Sequence, residues 1–202
     1  MTSGRRPRHA DAAAPARWLA AVALVAFAPW AAAAEWNVAS LMELLARNPP
    51  GRATFTETRY LALLDRPLES SGELRFTPPH KLEKRTLAPA IESLVVDGDS
   101  LTMEHAGRRQ TLSLRDNPEI AVFIESIRGT LAGDRVALER AYALALDGEA
   151  KRWTLVLTPL AATAANLVAR VEVSGQNADI QRIELFQADG DRSLMTIRRA
   201  GP

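Results

Sequence analysis

The chain has 202 residues, no cysteine, and 25 Lys and Arg set against 24 Asp and Glu. The missing cysteines exclude disulfides, thiol catalysis and Cys-based metal sites, and the balanced charge argues against the basic stripe that nucleic-acid binding needs. One hydrophobic core suffices at this size.

The N-terminus carries Arg5, Arg6, Arg8, His9 and Arg17, then an apolar run over 18–28 broken by Pro29, then the small residues 31–34 ahead of Glu35. A basic start, a short apolar centre and an A-x-A-like exit predict a secretory signal cleaved after Ala34. The run falls short of the roughly 20 apolar residues that span a bilayer, so a membrane anchor is not expected. Without 1–34 the chain keeps 21 basic and 23 acidic residues, a net charge of −2. Residues 35–202 are expected to form one domain, which no linker or repeat interrupts.

In chain order, Val38, Leu41, Leu44 and Leu45 recur at helical spacing after Asn37, a cap residue, and stop at Asn48-Pro49-Pro50-Gly51. From Ala53 the texture turns β-branched and alternating, which predicts a strand over 53–61. Short strands follow over 72–77, 81–87, 91–96, 100–104 and 109–114, with Asp97-Gly98 a strong hairpin signal. No helix of ten or more residues intervenes, which favours an antiparallel meander. Asn117-Pro118 then opens a helix whose apolar stripe is Ile120, Phe123, Ile124, Ile127 and Leu131, and Asp134 caps a second, shorter one. Strands return over 142–147, 153–158, 167–174, 180–187 and 194–199, with a helical turn near 161–166. In the strand over 167–174, alternation groups Leu167, Ala169, Val171 and Val173 on one face.

Candidate chemistry is sparse. His80 lies beside Pro78-Pro79 and His105 beside a glycine turn, neither with a second ligand or a nucleophile at a useful spacing. Asp97 and Asp99 flank a hairpin glycine, and no calcium-loop pattern continues from them. The chain contains no nucleophile elbow, zinc-protease, phosphate-loop or dinucleotide motif. Enzyme activity, a metal and a cofactor are therefore not expected. Periodicity alone reads the apolar strand and helix positions as a packed α+β core.

Three ordered segments carry a resemblance: Ala53-Thr54-Phe55-Thr56-Glu57, resembling A-x-F-x-Q; Gly72-Glu73-Leu74-Arg75-Phe76-Thr77-Pro78-Pro79-His80-Lys81-Leu82, resembling G-x-L-x-F-x-x-P-x-x-L; and Leu94-Val95-Val96-Asp97-Gly98-Asp99-Ser100-Leu101, resembling L-V-x-D-G-x-x-L. Together they resemble the LolA-like periplasmic lipoprotein carriers, over most of 38–200. The resemblance implies an α+β fold, an incomplete antiparallel β-barrel covered by helices over an apolar concavity. It implies a periplasmic, monomeric carrier of a lipoprotein or related amphiphile, with an inner-membrane donor and an outer-membrane acceptor. Leading members carry a lid-locking arginine just before the proline of the second segment, where this chain has Pro78. That departure implies another closing contact or another amphiphile, such as a glycolipid or an acylated pigment. A lipid-sensing regulator on the same fold and an adaptor with a filled core stay open.

On that fold, strand alternation and the helix stripe nominate a lipid-binding lining of Phe55, Leu74, Phe76, Leu94, Val96, Met103, Leu112, Phe123, Ile124, Ile127, Leu144, Trp153 and Leu155.

Overall fold

The computed structural model describes residues 35–48 and 51–200; the expected leader, 1–34, lies outside the described residues. Helix α1 (Val38–Ala46) opens on a reciprocal cap, in which the Ser40 N–H donates to Asn37 Oδ1 at 3.1 Å and the Asn37 N–H donates to Ser40 Oγ at 2.9 Å. Leu41, Met42 and Leu45 form its buried face.

Six strands follow as an antiparallel meander: β1 (Gly51–Tyr60), β2 (Leu68–Thr77), β3 (Lys81–Ala88), β4 (Glu92–Asp97), β5 (Ser100–His105) and β6 (Arg108–Ser113). β2 starts at Leu68, four residues before the alternation that predicts it. Glu69, Ser70 and Ser71 lack an apolar pattern, but they pair with Thr58, Glu57 and Thr56 of β1, so a neighbouring strand supplies what local texture does not.

The chain then crosses over through α2 (Pro118–Ala132) and α3 (Arg135–Ala141). Pro118 occupies the start of α2, and Asp134 Oδ1 accepts from the Ala137 N–H at 3.0 Å to cap α3. α2 ends at Gly133 with φ +64°, where a Cβ would stand 2.2 Å from the Met42 carbonyl oxygen. Glycine therefore both permits the left-handed cap and lets α1 approach.

The last elements are β7 (Tyr142–Glu149), β8 (Arg152–Pro159), the single turn α4 (Ala162–Ala165), β9 (Val168–Gln176), β10 (Asp179–Gln187) and β11 (Arg192–Arg199). β11 returns beside β1, which gives the strand order β6-β5-β4-β3-β2-β1-β11-β10-β9-β8-β7. Every neighbouring pair is antiparallel. Among the described residues, the edge strands β6 and β7 do not pair with each other, so the eleven-stranded sheet is an incomplete barrel, as the resemblance implies.

One face assignment is corrected. Phe186 pairs with Arg170 and Gln187 with Val168, so Ala169 bulges out of the ladder. The bulge turns Val168 inward and leaves Ala169 and Leu167 exposed, the reverse of simple alternation at that end of β9.

The helices cover the sheet unevenly. α1 and α3 pack against β7, and α2 against α1, α3 and β9. Beneath them lies the main core, with Leu41, Met42, Leu45, Leu138, Trp153, Leu155, Leu157, Val171 and Val173. A second cluster of Val96, Leu101, Leu114 and Ile124 seats part of α2 on β4 and β5.

Candidate functional site

Between its two seats, α2 bridges a hollow. The hollow is a cavity of about 280 Å³ under α2, walled by Leu74 and Phe76 of β2, Leu82 of β3, Leu94 of β4, Ile183 and Leu185 of β10, and Met195 and Ile197 of β11. Ile120, Phe123, Ile124, Ile127 and Leu131 of α2 form its roof. The volume sits at the lower end of small-molecule sites, and the walls are mostly apolar.

Polar groups meet the cavity in two places. At one end of the sheet, Asn48, Arg52, Arg75, Asp179 and Arg199 form its rim; all but the half-buried Asn48 are exposed. Arg199 Nη1 donates to Asp179 Oδ1 at 2.7 Å, and the Asn48 side-chain amide donates to the Ala178 carbonyl. Along β1, four residues or about 13 Å from Ala53, the Glu57 carboxylate stands in the wall. It accepts from Lys84 Nζ at 2.5 Å and from Ser193 Oγ at 2.6 Å. Burial pushes the Glu57 carboxyl up, but the adjacent Lys84 ammonium and the hydrogen bonds from Lys84 and Ser193 more than reverse this and hold it below its ordinary range. Lys84 Nζ also lies 4.9 Å from the centroid of the Phe55 ring.

α2 is tied down by one of its own side chains and by one from β7. Arg128 Nη1 donates to the Gly98 carbonyl at 2.5 Å, while Nη2 pairs with Glu125. The Tyr142 hydroxyl donates to the Val122 carbonyl; burial and the nearby Glu125 charge push that phenol up to about 12. Pro78 thus stands where the resemblance expects a lid-locking arginine on the sheet, and here an arginine on the helix reaches the β4–β5 turn.

Of the nominated lining, Leu74, Phe76, Leu94, Phe123, Ile124 and Ile127 meet in the cavity wall. The others lie elsewhere. Trp153 and Leu155 are buried in the main core, and Leu144 packs against it, because α1 and α3 land on that side of the sheet. Val96 is fully buried in the second cluster, Met103 packs against that cluster, and Leu112 is half-buried on the edge strand β6. Phe55 shares the concave face, opposite Ile197 and beneath Lys84, but does not itself reach the cavity.

Ile120 and Leu131 belong to the very stripe that predicts α2, so their signal was present. Ile183, Leu185, Met195 and Ile197 lie on predicted strands, but only the pairing of β11 with β1 brings them opposite Leu74 and Phe76. Glu57 ends the first of the resembling segments, but nothing local in the sequence joins it to Lys84 and Ser193, because the three come from the separate strands β1, β3 and β11.

A comparison with curated protein sequences finds no significant match. Among solved structures, a LolA superfamily protein from Nitrosomonas europaea is similar at 10% identity and a TM-score of 0.43, over 83% of this chain and 96% of that one. A DUF1329 family protein from Desulfovibrio piger is similar at 11% identity and a TM-score of 0.46, over 80% and 90%. The MucA/MucB complex of Pseudomonas aeruginosa contains a chain similar at 17% identity and a TM-score of 0.45, over 82% and 58%. The family described as outer membrane lipoprotein carrier protein LolA-like matches residues 30–200, so the chain belongs to that LolA-like family.

Proposed function

We propose that this protein holds the acyl chains of a lipoprotein or related amphiphile in the cavity under α2 and carries them through the periplasm toward the outer membrane. The observation that carries this reading is the apolar hollow of about 280 Å³ in a chain of a family described as lipoprotein carriers. A core packed to ordinary density leaves no such space. Export follows from the leader over 1–34, removed after Ala34, and the carrier acts as a monomer between an inner-membrane donor and an outer-membrane acceptor. No helix among the described residues is long and apolar enough to cross a membrane.

Burying hydrocarbon is worth about 0.8 kcal/mol per CH₂, so two or three fully enclosed long chains would approach the practical ceiling of affinity and would not be released. A small hollow with a polar rim holds only part of each chain. Transfer then needs no covalent step, only an acceptor that buries more.

Native mass spectrometry of the processed protein, purified from a Gram-negative periplasm without detergent, tests this. A mass excess that extracts as an acylated species supports carriage and names its cargo class. A clean apo mass, with no uptake of a fluorescent fatty-acyl probe, overturns it.

A further inference from the structure

The Glu57, Lys84 and Ser193 group is not accounted for by holding hydrocarbon. An ion pair taken out of water is seldom worth more than well-packed apolar residues of the same volume, yet this one stands in the wall of a mostly apolar cavity. Glu57 is nearly buried at 9% exposure; its Oε2 accepts from Lys84 and, at 3.5 Å, from the Ser70 hydroxyl, and its Oε1 accepts from Ser193. Lys84 retains 25% side-chain exposure and borders the cavity. Its ammonium has three donors, of which one is directed to Glu57 Oε2. The group therefore presents hydrogen-bond donors to a ligand while adding no net charge to the wall.

We propose that Lys84, held by Glu57, which Ser193 in turn hydrogen-bonds, is a polar anchor that takes the ester or amide carbonyl of a bound acyl group and rejects a free fatty-acid carboxylate. This rests on the reading of the cavity as an acyl site and adds a selectivity to it. A neutral carbonyl oxygen accepts from the ammonium without disturbing the pair. A carboxylate within reach of Lys84 Nζ would stand within about 4–6 Å of the Glu57 carboxylate, where like charges oppose each other. The anchor thus suits acyl groups already joined to a carrier molecule, such as glycerides and N-acyl or O-acyl lipoprotein termini.

The test is displacement of the neutral dye Nile red by 1-monomyristoylglycerol and by myristate at pH 8, below their aggregation concentrations. The wild type is expected to favour the ester by about tenfold or more, a difference of about 1.4 kcal/mol. Glu57→Gln, which leaves Lys84 as an uncompensated cation, should collapse or invert that ratio. The double variant Glu57→Gln with Lys84→Met removes the anchor and both charges and should bind ester more weakly, with the ratio reduced but still above one, since an apolar wall also disfavours a carboxylate. It decides the matter if the single variant does not fold. Equal displacement by both ligands in the wild type, or an unchanged ratio in the double variant, overturns the anchor alone. Failure of both ligands to bind overturns the acyl reading and the anchor with it.

Discussion

Arg128, on the helix that roofs the cavity, donates from Nη1 to the carbonyl oxygen of Gly98 in the β4–β5 turn at 2.5 Å. Its guanidinium is mostly buried and also pairs with Glu125 one turn back. Arg128 thus reinforces the flank of the hollow where Ile124 of α2 packs on Val96 and Leu101, while the other flank is held by apolar packing on α1 and β9. Arg128→Met should cost about 1.5 kcal/mol, the low end for a charge-assisted hydrogen bond, since water can reach the half-buried Gly98 carbonyl. Amide hydrogen exchange within α2 should rise, with little change in β7–β9. Unchanged exchange in α2 would show that the tie does not restrain the helix.

Phe123 faces the cavity whereas Leu155 is fully buried in the main core. Phe123→Asp is expected to abolish uptake of an acyl probe while leaving a cooperative unfolding transition. Leu155→Asp combines a lost core side chain, worth about 2–5 kcal/mol as a truncation, with a buried charge, and should leave little folded protein. Thermal melts with probe binding separate these outcomes. Equal unfolding by both variants would mean that α2 is core and not cover.

The Trp153 indole lies against Gly175, its neighbour across the β8–β9 pair, and Nε1 donates to the Asn177 carbonyl at 2.9 Å. A Cβ at residue 175 would meet Trp153 Cζ2 at 2.5 Å and the Asp179 carbonyl oxygen at 2.4 Å. Gly175→Ala should therefore destabilise by about 1–3 kcal/mol, as overpacking does. Urea melts would show a lower midpoint, with Trp fluorescence shifted to the red if the indole is expelled.

Glu57 gives stability an acid dependence whose sign follows from its depressed pKa. The carboxyl titrates lower in the folded protein than its ordinary value of 4.5, so its contribution is complete above that value and is lost as pH falls through the folded one. From pH 6 to pH 3 the wild type should lose more stability than the Glu57→Gln, Lys84→Met double variant. Parallel pH profiles from chemical denaturation would show that the pair contributes nothing to this dependence.

Most boundaries were legible because each is written locally. Asn37 before Val38, Asp97-Gly98 between strands, Asn117-Pro118 ahead of an apolar stripe, and Asp134 after Gly133 are short-range signals, and each falls at the element end it predicts. Where pairing overrode texture, as for the polar start of β2 and the bulge at Ala169, the sequence reading failed by a few residues. The cavity was half legible. Alternation found the concave face, including Leu74, Phe76 and Leu94, but could not separate wall from core.

One ladder shows why. Glu57 opposes Met195, Met195 opposes Ile183, Ile183 opposes Val173, Val173 opposes Leu155, and Leu155 opposes Leu146, in a continuous row from β1 to β7. Glu57, Met195 and Ile183 border the hollow, while Val173 and Leu155 are sealed in the core. By itself the sequence determined the strands, the helices and which side of the sheet is apolar, because side-chain period and turn chemistry are local properties. Only the tertiary structure decided which part of that face is filled. That depends on where α1 comes to rest on β7 and on β11 closing beside β1, and both are contacts between segments more than 90 residues apart.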